Sequence, residues 1–562
     1  MNSQSQSNRI EQLMAAFQKD SFQVDRQKDV FVIDHKIGIR ATHQYATIGS
    51  TGKRKKAFYV EGSYRQMGYL MGLMAEPEIA QMCADFNRDI VLAFIHPDVH
   101  KDPALKEAVA ECLELLLDWV SNNMFLDIRY DFKEELRGIL AGCHRANPNT
   151  TVEWQELWIL NVGIDILLSR VYTGMFTVKD RELPFKLEPN HLRAPVLSNS
   201  FSVFGSAVEN DAHFFGRDFT FPTGDVFQET AALVIQNPTN RQPFVSMTAP
   251  GIIGSITGMN VKGIGVGVDM VPSRNCTPSS LGLNSLLLAR YCIERADSCQ
   301  NAINAIANNT RHGVPWLYTL ADGTNQRACV VETGCVMDNP DFLDYPSENL
   351  KKHLPSQDFL DGHRSTEFKR GTMVRWSDYE YPTEYSRFNP ALFEYLNKRY
   401  DSDDFAETGY IAKSWRDQRC PSAYYFAPQR ETLDNLILAT NMYIIPEMRL
   451  YAMHTIPTIV AAGHYDDMQW RYDALNDELV SRIKGDGGPI TFEEAKGIID
   501  FLAPCGKYPD YVNPDGKPLE QVQIPGAVSL MDLREQKITS HYGYYTDEWV
   551  TIHLSNYAKP WK

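Results

Sequence analysis

The spacing of apolar residues along this chain changes character once, near residue 180, so no architecture built from one kind of layer satisfies both halves. Up to about residue 175 apolar side chains recur at i, i+3, i+4 and i+7. They do so in Ser63 to Met74, in PALKEAVAECLELLLDWVSNNM, in DFKEELRGILAGCHRAN and in Glu153 to Arg170, as expected of helices that bury one face. Asp180 to Pro195, DRELPFKLEPNHLRAP, holds three prolines and many charges and marks an irregular connector. Beyond it the period falls to two. Strands are predicted for Phe201 to Phe204, His213 to Phe219, Ala231 to Gln236, Pro243 to Thr248, Gly254 to Met259 and Gly263 to Met270. Turn residues (Glu209-Asn210-Asp211, Asn237-Pro238-Thr239-Asn240, Val261-Lys262) separate them. Consecutive strands with tight turns imply antiparallel pairing. Helices return at Leu283 to Ala307, and a second strand group follows around Trp316 to Glu332. Then come a strand at Asn435 to Thr440, helices near Met448 to Ala462 and Met468 to Ile483, and a C-terminal strand region. The polar, aromatic stretch of about 338–422 reads as an insertion, and there is no internal repeat. The class is α+β, an antiparallel sheet covered by helices, preceded by a mostly helical N-terminal segment.

Composition narrows the function. With 43% hydrophobic residues in 562 the chain can bury a sizeable core. A formal net charge of −16 argues against a nucleic-acid footprint, and the basic run Gly52-Lys53-Arg54-Lys55-Lys56 reads as a solvated loop. MNSQSQSNRIEQ carries no apolar core of a secretory signal. No window reaches the roughly 18 uninterrupted apolar residues of a membrane span; LWILNVGIDILLSRV, with Asn161 and Asp165, reads as a buried helix. Ten cysteines without a CxxC pair suggest reduced thiols, no zinc site and a cytoplasmic location.

There is no HExxH, GxSxG or P-loop. Gly263-Ile264-Gly265-Val266-Gly267 lacks the spacing of a dinucleotide loop, so no cofactor and no metal are expected. His213, on an alternating strand, reads as a packed side chain and not a ligand. An ordered set of motifs remains: EGSYRQMGYLMG from Glu61, SNSFSVFGSA from Ser198, FFGRDF, PGIIGSITGMNVKGIGVGVD from Pro250, and LATN ending at Thr440 and Asn441. In this order they resemble the isopenicillin N acyltransferase (C45) family of N-terminal-nucleophile (Ntn) hydrolases. The likeness runs from about Gly62 to the C-terminal region.

That resemblance implies an Ntn-hydrolase αββα sandwich and a chain that cuts itself between Leu197 and Ser198. The products would be a helical N-terminal chain, 1–197, and a catalytic chain, 198–562, that stay associated. A serine hydroxyl needs an adjacent base, and a freed α-amine, with a pKa of about 7.7 to 8, is one within the same residue. By resemblance Asn441 donates to the oxyanion, Arg217 holds the terminus or a substrate carbonyl, and Arg471 in QWRYDAL matches a late family arginine at the substrate. The chain also departs from the pattern. Position 198 is usually cysteine, so Ser198 is either a natural serine nucleophile or a replacement that freezes the precursor. The aspartate expected three residues after the arginine is Thr220. Asp218 neighbours Arg217 but points to the opposite strand face. Asp269 stands where the family often has an asparagine, which makes Asn260 the more credible auxiliary polar group. Each residue has a plainer reading: Ser198 as a strand-edge serine, Arg217 as an ion-pair partner, Asn441 as a turn residue, and Gly62, Gly68 and Gly72 as helix-packing glycines. The implied activity is cleavage of a linear amide in a small N-acylated molecule or peptide, by hydrolysis or acyl transfer. A homo-oligomer is possible. The rivals are a binding or scaffold protein that kept the fold, and a phospholipase B-like lipid hydrolase.

Overall fold

The computed structural model describes residues 3–48, 51–96, 98–124, 128–192, 197–220, 226–273, 276, 283, 285–309, 313–335, 372–379, 432–445, 448, 467–502, 526–543 and 548–561. The chain begins with α1 (Ser3–Lys19), β1 (Phe22–Gln23), β2 (Val30–Ile33), β3 (Lys36–Thr47) and β4 (Arg54–Gly62). The helices α2 (Tyr64–Gln81), α3 (Asn87–Ala93), α4 (Pro103–Met124), α5 (Tyr130–Ala146) and α6 (Trp154–Thr173) follow. Next come β5 (Leu197–Phe204), β6 (His213–Thr220), α7 (Val226–Thr230), β7 (Ala232–Pro238), β8 (Phe244–Thr248), β9 (Thr257–Asn260), β10 (Ile264–Met270), α8 (Ser285–Ile293) and α9 (Cys299–Asn308). The remainder is β11 (Trp316–Asp322), β12 (Arg327–Thr333), β13 (Thr372–Trp376), β14 (Leu436–Ala439), α10 (Asp467–Lys484), α11 (Phe492–Leu502), β15 (Gly526–Asp532), β16 (Lys537–Gly543) and β17 (Val550–His553).

The strands form two sheets. Eleven run in the order β1-β3-β4-β7-β8-β9-β10-β11-β12-β13, with β2 paired to β3; six run β14-β5-β6-β15-β16-β17. The described pairings are antiparallel except β4 with β7, which is parallel. Alternation along each strand decides what the sheets face. On β10 the odd positions meet the second sheet: a Cβ at Gly267 would lie 2.7 Å from Arg217 Cδ, and one at Gly265 2.6 Å from Phe215. The even positions face helices, since Gly258, opposite Val266, abuts Ile293 of α8. On the outer side of the second sheet Phe214 meets Phe492 of α11 edge-on, with ring centroids 5.6 Å apart. Helices and largely antiparallel sheets thus pack together around one apolar core.

The structure departs from the sequence expectation in several places. The segment 1–197 carries four strands besides its helices, and β4 joins it to β7 in one sheet. KIGIRATHQYAT alternates in part, whereas RKKAFYVEG carries the continuous buried run Ala57 to Val60 and gives no period-two signal before the helical spacing that follows. The expected insertion of about 338–422 contains β13, a sheet strand on β12; apart from 372–379 it lies outside the described residues, as do 449–462 of the helix expected at Met448 to Ala462. The helices expected at Leu283 to Ala307 are α8 and α9, and Ser298 caps α9 by accepting from the Asn301 amide. Gly68 and Gly72 do allow close helix packing: a Cβ at Gly68 would lie 2.0 Å from the Glu135 carbonyl oxygen of α5.

Candidate active site

Strand register brings the candidate nucleophile and the candidate oxyanion donor together. β14 pairs with β5 from Leu436↔Val203 to Ala439↔Ser200. One step forward on an antiparallel strand is one step back on its neighbour, so position 441 falls level with 198. The side chain of Asn441 there meets both polar atoms of Ser198. The Ser198 backbone N–H donates to Asn441 Oδ1 at 2.8 Å, and Asn441 Nδ2 donates to Ser198 Oγ at 2.9 Å. The Asn441 amide has a defined orientation, because Arg471 Nη2, which can only donate, also reaches Oδ1 at 3.0 Å. Nδ2 donates in addition to the Met270 carbonyl at 2.7 Å. Ser198 and Asn441 are both wholly buried.

Arg217 and Asp269 lie beneath the serine. Arg217 stands opposite Ser200 on β6, and its Nη1 donates to Asp269 Oδ1 of the facing sheet at 2.8 Å, with both side chains excluded from solvent. The same nitrogen reaches the carbonyls of Asp218 at 2.6 Å and Asn199 at 3.2 Å. Ser200 Oγ donates to Asp269 Oδ2 at 3.0 Å and contacts Thr319 Oγ1 at 2.8 Å. Burial pushes the Asp269 carboxyl above the usual carboxylate range. The Arg217 guanidinium opposes this most, followed by the hydroxyls of Ser200 and Ser198 that donate to the carboxylate. Burial also lowers the pKa of Arg217, against the pull of Asp269 and Asp218. Among the described residues Arg217 Nε and Nη2 have no hydrogen-bond partner.

Six of the candidates thus occupy one network, though not all in the expected roles. Arg471 reaches the Ser198 carbonyl at 2.8 Å and Asn199 Oδ1 at 2.6 Å, so it braces the nucleophile's own strand where substrate contact was expected. Asp218 lies on the other face of β6, where it accepts from Asn199 Nδ2 at 3.0 Å; strand alternation keeps it from the Asp269 side. Asp269 was expected to repel a developing oxyanion; here its charge is matched by Arg217. Asn260 is placed elsewhere. Its Nδ2 caps the Ile293 and Ala296 carbonyls, both at 2.8 Å, and its Oδ1 accepts from the Lys262 and Ile264 amides, at the far end of β10 from Asp269. Leu197 opens β5 opposite Thr220, so the expected cut falls within a strand and not in the connector. His213 is buried, with Nε2 2.6 Å from Ser202 Oγ. Asn199, Ser200 and Thr319 were missed as site residues. The signal available for the first two was a run of polar side chains, Ser198 to Ser200, opening a strand.

Among the described residues no group of three His, Cys, Asp or Glu is placed to hold a metal, the eight described cysteines are free thiols, and no helix is long and apolar enough to cross a membrane. No family model matches the chain. An uncharacterized protein of Archaeoglobus fulgidus is 26% identical over 516 residues, covering 91% of this chain and 68% of its own. Among solved structures, a mutant conjugated bile acid hydrolase from Clostridium perfringens aligns with 65% of this chain and 97% of its own, at 12% identity and a TM-score of 0.32. A variant of that enzyme gives 65%, 96%, 12% and 0.31. The Caenorhabditis elegans ortholog of N-acylethanolamine-hydrolyzing acid amidase gives 60%, 92%, 9% and 0.28.

Proposed function

We propose that this chain is an Ntn amidohydrolase of the αββα type that cuts itself before Ser198 and then cleaves a linear amide of an N-acylated small molecule or peptide. The observation that carries this is the double contact between Asn441 and the nitrogen and hydroxyl of one buried strand residue, Ser198. A merely structural asparagine has no need of both atoms.

In the precursor the Ser198 nitrogen is part of a peptide bond and is not a base. Ser198 Oγ passes its proton to Asp269 and bonds to the Leu197 carbonyl carbon. The carbon–nitrogen bond then breaks, the nitrogen takes the proton, and water hydrolyses the resulting ester. The products are a Leu197 carboxylate and a Ser198 α-amine. In the mature protein that amine, with a pKa of about 7.7 to 8, takes the hydroxyl proton as Oγ attacks the substrate carbonyl. The Asn441 N–H now resting on Oγ is the donor for the oxyanion that forms beside it. The departing amine is protonated, and water or an acceptor amine releases the acyl group. Both chains would stay together, because β4 and β7 share a sheet across the cut.

A denaturing gel and N-terminal mass spectrometry test this directly. Scaling 63.9 kDa by length predicts fragments of about 22 and 42 kDa for the chain or for Ser198→Cys, and none for Ser198→Ala. One intact band from both the chain and Ser198→Cys overturns the proposal and leaves a binding or scaffold protein.

A further inference from the structure

We infer that Glu332 and Arg375 are positioning residues that hold the Asn441 amide level with Ser198; this rests on Asn441 being the oxyanion donor. Past Ala439 the chain leaves the β5 ladder, so backbone pairing brings Asn441 to the level of Ser198 but does not itself hold it there. Two buried, charged side chains of the facing sheet take over. Glu332 of β12 accepts from the Ile444 amide at 3.1 Å (Oε1) and 3.2 Å (Oε2) and from the Ile445 amide at 3.2 Å. Arg375 of β13 donates from Nη2 to the Leu438 carbonyl at 2.8 Å. The two pair with each other, Arg375 Nε to Glu332 Oε1, at 3.4 Å, with neither exposed to solvent. The clamp therefore grips the chain three residues before Asn441 and three to four after it. Next to it, Tyr443 Oη donates to the Thr333 carbonyl at 2.8 Å.

The chemistry fits restraint more than general stability. A carboxylate shared by two adjacent backbone amides is a charge-assisted contact with defined geometry. A buried charge pair is a weak way to stabilise a core, since apolar residues of similar volume do as well or better. Restraint matters at this point because misplacing a reacting group by about 1 Å can cost on the order of 100-fold in rate.

The test uses the full chain and a p-nitrophenyl ester of a short fatty acid, whose p-nitrophenolate release reports acylation of residue 198. Glu332→Gln is expected to lower kcat by about 10- to 100-fold with KM within about twofold, and Glu332→Asp to restore part of it. In an Asn441→Ala background Glu332→Gln should cost nothing further, because its effect runs through the missing amide. An unchanged kcat, or the same loss in both backgrounds, overturns the inference. Should Glu332→Gln fail to fold, Glu332→Asp carries the same comparison. If the wild-type chain is inert toward the ester, the nucleophile assignment falls, and hydrogen exchange decides the clamp. Faster exchange of the Ile444 and Ile445 amides in Glu332→Gln then supports it, and unchanged exchange overturns it.

Discussion

Replacing Asp269 by asparagine keeps the shape of the side chain and removes the carboxylate that faces Arg217 at 2.8 Å, where neither residue is exposed to solvent. The guanidinium cannot turn to water, and its Nε and Nη2 already lack partners among the described residues. Breaking a buried pair from one side costs about 3 to 5 kcal/mol, because the other charge stays buried and uncompensated. Unfolding entropy of about 2.1 cal/mol/K per residue scales to about 1.2 kcal/mol/K for 562 residues. The Tm should therefore fall by about 3 to 4 °C if the chain melts as one unit. Scanning calorimetry of Asp269→Asn, Arg217→Met and the double variant reads this, and the double should be less destabilised than the two singles added. Asp269→Asn should also stop self-cleavage, since the hydroxyl of Ser198 loses its acceptor. A Tm within about 0.5 °C of wild type, with additive singles, would refute the pairing and with it the placement of β10 over β6.

Other consequences are open to measurement. Asn441→Ala should lower kcat for a p-nitrophenyl ester by about 100- to 1,000-fold with little change in KM; an unaltered kcat removes it from the chemistry. Burial holds His213 down at a pKa of about 3, from 6.5, so the unfolded chain binds a proton that the folded chain refuses between those values. Stability then falls as pH drops below 6.5, by about 2 kcal/mol at pH 5 for this group, and His213→Gln should flatten that part of the urea-denaturation profile. Gly68→Ala would drive a methyl to 2.0 Å from the Glu135 carbonyl oxygen. The α2–α5 pair must then part, at a cost of about 1 to 3 kcal/mol in urea midpoints, and an unshifted midpoint would show that the pair is looser than described. After self-cleavage the two chains should co-elute on gel filtration without denaturant; separation would deny the shared sheet.

Much of this was legible before any coordinates. The alternation through Phe201 to Phe204, His213 to Phe219 and Gly263 to Met270 is a local property, since each residue's burial depends on its own strand's pleat. Ser198, Arg217, Asn441 and Arg471 were singled out by the resemblance of their motifs to those of the C45 family, not by residue type alone. β3 and β4 were overlooked because a stronger helical pattern begins directly after them, and β13 because it lies alone in a polar stretch.

The amino-acid order by itself determined most of the strands between residues 201 and 270 and the strand that carries Ser198. Only the tertiary structure decided which strands are neighbours, and that decided the site. Asp269 was set against Arg217 by the stacking of β10 on β6, a contact between residues 52 positions apart that no pattern along one strand encodes. Asn441 came level with Ser198 through the pairing of β14 with β5 across 243 positions. Asn260, equally polar in sequence, was drawn into a turn at the other end of its strand. Periodicity reports a residue's environment, whereas partners are chosen by packing between distant segments.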